Sequence, residues 1–99
     1  MNERFKAIIN SEKPVLVDFY ADWCEPCRHM EPVLKTVKKD LRTNLRIIKV
    51  NVDHHPLIVS AFGVDKLPTV MLFKEGNPCW TGVGVQSAGD ILKCISEII

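Results

Sequence analysis

A dominant charge of either sign is missing from this 99-residue chain, in which 13 Lys and Arg stand against 12 Asp and Glu. No chain-wide field draws it to nucleic acid or to anionic lipid, so neither is expected as a partner. Long apolar runs are missing too: none approaches the ~20 residues that span a bilayer. The opening Met1-Asn2-Glu3-Arg4-Phe5-Lys6 lacks the apolar stretch and small-residue cleavage site of a secretory leader. That predicts a cytoplasmic product, although a chain already trimmed of a leader would read the same way. Cysteine is scarce, at four residues, which excludes a disulfide-framed secreted miniprotein. Repeats, low-complexity stretches and linkers are absent. The 46% hydrophobic content suffices for one core, so residues 1–99 are expected to form a single domain.

What is present falls into alternating elements. Phe5, Ile8 and Ile9 mark one face of a short helix over about Asn2–Asn10, ended by Ser11-Glu12-Lys13-Pro14. Val15–Tyr20 is an apolar run broken only by Asp18, the pattern of a central strand buried on both faces. Met30, Val33, Leu34, Val37 and Leu41 predict a helix from Trp23 to about Arg42, with Pro26 tolerated in its first turn and Pro32 bending it. A second strand is expected over Leu45–Val52 and a short helix from Pro56 to Gly63. The remainder reads as a hairpin, Thr69–Lys74 and about Cys79–Val83 around Glu75-Gly76-Asn77, then a helix that Ser87 and Asp90 begin. The implied fold is α/β: a mixed four-stranded sheet, a βαβ unit followed by ββα, with helices on both faces.

The chemistry concentrates at Cys24-Glu25-Pro26-Cys27, where the first strand gives way to the long helix. There the Cys24 thiol lies beside unpaired backbone N–H groups and the positive end of the helix dipole, which favour its thiolate. A thiolate is the nucleophile of disulfide exchange, so Cys24 would attack a substrate disulfide and Cys27, the more buried thiol, would resolve the mixed disulfide. Zinc is the competing use of such a pair, but Cys79, Cys94, His29, His54 and His55 supply no second ligand pair at suitable spacing, so no metal is assigned. Two small hydrophobes that happen to be close are the plain structural alternative, and Trp23 and Pro26 at a strand-to-helix junction weigh against it. Cys79 and Cys94 are expected to pack as small buried hydrophobes.

Val17-Asp18-Phe19-Tyr20-Ala21-Asp22-Trp23-Cys24-Glu25-Pro26-Cys27 resembles the active-site stretch of the thioredoxin family. The resemblance continues through Lys49–Asp53, Phe62-Gly63-Val64, Leu67-Pro68-Thr69, Phe73–Gly76 and Val83-Gly84-Val85, in family order. It implies a thioredoxin-like fold and a protein-disulfide reductase, with the Cys24–Cys27 disulfide as its redox centre and no other cofactor. It also implies that Asp18 is a buried acid beneath the resolving cysteine, its titration raised by desolvation, and that Lys49 tunes it. Pro68 is implied to be cis, against the base rate for X–Pro bonds. Trp23, Pro26, Leu67, Pro68, Thr69, Val83 and Gly84 would then contact substrate, within an apolar apron that also takes in Val52 and Val85.

The expected partners are disulfide-bearing protein substrates and a thioredoxin reductase as electron donor. Where the family commonly has Gly-Pro between the cysteines this chain has Glu25-Pro26, and Lys66 stands where a small residue is usual. The family's N-terminal edge strand has no counterpart, so the Leu45–Val52 strand is expected at an open edge; a monomer is expected, with that edge as the route to a dimer. Two other functions fit the same residues less well. A disulfide oxidase or isomerase would need export, and a non-catalytic binding module would leave Cys24 and Cys27 without a purpose.

Overall fold

A computed structural model describes residues 2–98. Helices Glu3–Ile9 (α1), Glu25–Arg28 (α2), Met30–Leu41 (α3), Pro56–Phe62 (α4) and Ala88–Ile98 (α5) are interleaved with strands Val15–Tyr20 (β1), Arg46–Asn51 (β2), Thr69–Lys74 (β3) and Asn77–Val83 (β4). The sheet runs β2-β1-β3-β4. β2 pairs parallel to β1, whereas β3 is antiparallel to both β1 and β4. The mixed four-stranded sheet is as expected, and β2 does lie at an edge.

Period-two alternation explains why β1 looks uniformly apolar. Val15, Val17 and Phe19 point to one core, with Met71 and Phe73 of β3, Phe5 and Ile9 of α1 and Ile58 of α4. Leu16 points to the other, with Val70 and Leu72, Met30, Leu34 and Val37 of α3, and Ile91 and Ile95 of α5. A strand that feeds two cores has no solvent face, so its pattern is continuous. Phe5, Phe62 and Phe73 pack edge-on and tilted at centroid distances of 5.2–6.1 Å, tying α1 and α4 to the sheet.

The element ends follow local chemistry. Asn2 Oδ1 accepts the N–H groups of Arg4 and Phe5 to cap α1, and Ser87 Oγ accepts that of Asp90 at 3.1 Å to start α5. Gly63, with φ +65°, closes α4 in the left-handed conformation that a side chain resists. Glu75 and Gly76, both at positive φ, make the tight β3–β4 turn, and their N–H groups donate to Ser11 and Ile9 carbonyls.

Three expectations are corrected. The long helix is interrupted at His29 instead of bending at Pro32: Pro32 has no N–H, and its ring crowds the carbonyl of Arg28, so α2 stops there and α3 restarts. β4 begins at Asn77, ahead of Cys79. Cys79 is exposed and Cys94 only partly buried. A bulge between Leu72 and Phe73 pairs those residues with Trp80 and Pro78, leaving Cys79 without a cross-strand partner on the outermost strand.

Candidate active site

Both cysteines sit where β1 hands over to α2. Cys24 is the N-cap of α2, Pro26 lies in the first turn, and the Cys24 and Cys27 Cα atoms are 5.4 Å apart across a disulfide. Cys24 Sγ accepts the N–H of Cys27 at 3.2 Å, so a backbone donor of the helix start is aimed at sulfur. Whole-residue exposure does not rank the pair: Cys24 is 5% and Cys27 6% exposed, both tucked against Ala21, Tyr20, Val52 and Leu67. What separates them is the space each one faces.

Cys24 opens on a groove of about 460 Å³ walled by Trp23, Pro26, Val52, Val59, Val64 and Leu67, with Glu25 and Asp65 on its rim. Trp23 is 72% exposed, yet its indole is fixed because Nε1 donates to Asp53 Oδ2 at 2.9 Å. Three predicted contact residues, Trp23, Pro26 and Leu67, therefore line the groove. Pro68 and Thr69 are buried and do not line it, and the Leu67–Pro68 bond that precedes them is cis. Val83 pairs with Thr69, and the Gly84 N–H donates to the Pro68 carbonyl at 2.8 Å. Val83 and Val85 thereby extend the exposed apolar surface beyond the groove.

Cys27 faces a smaller opening of about 310 Å³ with Tyr20, Asp22, Arg28, Glu31 and Lys49. Asp18 lies on the same sheet face as Tyr20, paired in register with Lys49, and is 1% exposed. Its Oδ1 has no hydrogen-bond partner among the described residues. Desolvation pushes the carboxyl up to about 6 from an ordinary 3.8; Lys49 pulls it down and Glu31 pushes it further up. The Lys49 ammonium is paired to Glu31 and stands 4.7 Å over the Tyr20 ring. Its hydrogen bond and charge hold the Glu31 carboxyl below its usual range.

Val59, Asp65 and Glu31 carry no signal in the sequence that marks them as site residues, since they arrive from α4, the loop after it and α3, each far along the chain from the others or from the cysteine they accompany. No group of three or more His, Cys, Asp or Glu is placed to hold a metal ion among the described residues.

A bonded Cys-x-x-Cys pair at a helix start, beside an exposed apolar groove, is suited to exchanging disulfides. The thioredoxin family model matches residues 1–97. The chain belongs to the thioredoxin family. Thioredoxin of Rickettsia bellii is 40% identical over 92 residues, covering 93% of this chain and 88% of that one. A thioredoxin-like protein of Synechocystis is 42% identical over equal shares. Among solved structures, a thioredoxin variant from Halobacterium salinarum superposes with a TM-score of 0.86 at 33% identity, covering 98% of this chain and 84% of that one. This member of the thioredoxin family is a thiol:disulfide oxidoreductase that reduces protein disulfides through its Cys-x-x-Cys pair.

Proposed function

We propose that Cys24 is the attacking thiol and Cys27 the resolving one. The observation that carries this assignment is the Cys24 sulfur at the α2 start, opening on the groove while Cys27 faces away from it. The Cys24 thiolate attacks one sulfur of a substrate disulfide; a Cys24–substrate bond forms, the substrate S–S bond breaks, and one substrate thiolate leaves. Cys27 then attacks Cys24, the intramolecular disulfide forms, and the second substrate thiol departs, two electrons having passed to the substrate. Resolution is fast because Cys27 is already positioned.

Asp18 serves as the proton acceptor for Cys27. Its carboxyl, titrating near 6, is mostly ionised at neutral pH and able to take a proton. Lys49 keeps that charge tolerable in a buried place. Trp23, Pro26, Leu67, Pro68, Thr69, Val83 and Gly84 position an extended substrate segment. Re-reduction by a thioredoxin reductase completes an electron-transport cycle, and the cytoplasm is the compartment that keeps such a dithiol reduced.

Cys27→Ser tests the order of events. The reduced variant, mixed with a disulfide-bearing protein, is expected to accumulate a covalent Cys24–substrate adduct that dithiothreitol dissolves, whereas Cys24→Ser yields none at Cys27, the adduct site being read by peptide mapping because Cys79 is an exposed free thiol. Adduct on Cys27 in the Cys24→Ser protein, and none on Cys24, would reverse the assignment.

A further inference from the structure

The groove beside Cys24 has an apolar floor and a one-signed rim. Among the described residues Glu25 and Asp65 are the only charged ones that line it, and both are exposed. Asp53, which anchors the Trp23 wall, adds a third carboxylate alongside. The opening on the Cys27 side is balanced by contrast, Asp22 and Glu31 against Arg28 and Lys49. Lys66, next to Asp65 in the chain, is exposed but is not among the groove's lining residues. Local acidity at the reacting sulfur therefore runs against the +1 charge of the whole chain.

We propose that Glu25 and Asp65 make the Cys24 groove select disulfide-bearing segments with a lysine or arginine within one or two residues of the attacked cysteine. The proposal rests on the reductase reading above and specifies its substrate class. Glu25 directly follows Cys24, so a substrate sulfur in contact with Cys24 brings its own sequence neighbours over the rim. An extended segment advances ~3.3 Å per residue, which sets a side chain one or two positions away against one of the two carboxylates. Such charges act both on encounter and on the bound state, and salt screens them.

The test is a single-turnover reaction of the reduced protein with three synthetic peptide disulfides that differ only in a Lys, Gln or Glu flanking the cysteine. Reactions are quenched in acid and remaining thiols counted by alkylation. The dithiol supplies both electrons, so no other reductant is present. Second-order rate constants are expected to fall in the order Lys, Gln, Glu, with a Lys-to-Glu ratio of about tenfold at low salt that shrinks to about twofold near 0.5 M. Glu25→Gln and Asp65→Asn are each expected to lower that ratio about two- to threefold. Because the ratio compares peptides within one protein, any effect of Glu25 on Cys24 reactivity cancels. Equal rates for the three peptides, or an unchanged ratio in the double variant, would overturn the proposal. Reduction of none of them would overturn the reductase reading itself.

Discussion

Asp18→Asn removes a charge from a site almost closed to solvent, where Asp18 is 1% exposed. In the folded protein the carboxyl titrates near 6, against an ordinary 3.8 that stands for the unfolded chain. The sign follows from linkage: a carboxyl whose folded titration lies above its unfolded one destabilises the fold once it ionises. The stability lost sets in above about 3.8 and is complete above about 6. A gap of roughly two pH units corresponds to about 3 kcal/mol at neutral pH. Asparagine avoids that loss but places an amide where Oδ1 already lacks a partner, a pH-independent cost of about 1–3 kcal/mol. The informative quantity is thus the pH dependence of the difference between the two proteins, which cancels the titrating groups that do not interact with Asp18. Urea unfolding of the oxidised proteins at pH 4 and pH 7.5 should show the variant gaining about 2–3 kcal/mol relative to wild type on going to the higher pH. A difference that is the same at both pH values would refute the claim that Asp18 ionises at a cost in the folded state.

Two other expectations concern stability alone. Leu34→Ala opens space in the core between α3, α5 and the sheet, where Leu34 is 6% exposed, and should cost about 2–4 kcal/mol by chemical denaturation. Ser87→Ala removes the acceptor for the Asp90 N–H and should cost about 1 kcal/mol, with faster amide exchange confined to the first turn of α5.

The parts of the fold legible in the sequence were those set by short-range rules. The continuous run Val15–Tyr20 marked a strand between two cores, Ser87 and Asp90 marked a helix start, and the spacing of Leu34 and Val37 marked the buried face of α3. The Cys-x-x-Cys pair and its flanking Trp and Pro marked the redox centre. What sequence reasoning missed depends on distant residues meeting. Glu31 and Lys49 lie 18 positions apart and Trp23 and Asp53 lie 30 apart, and no periodicity announces either pairing. The interruption at His29 was misplaced because proline acts on the carbonyl four residues earlier, not at its own position. Cys79 was misjudged because a bulge cannot be seen in alternation that it breaks. The burial of both cysteines is likewise a joint property of Ala21, Tyr20, Val52 and Leu67.

The Cys27 N–H that points at Cys24 sulfur has a consequence for timing. That donor is in place while the sulfur is still neutral and bonded. When electrons arrive and negative charge appears on Cys24, the dipole that stabilises it need not rotate into position, because the α2 backbone already holds it there. The reorganisation that a thiolate in water demands of its solvent is thereby done once, during folding, and not again at every turnover. On that view the electrostatic support for the Cys24 thiolate belongs to the fold itself and is in place before any substrate arrives.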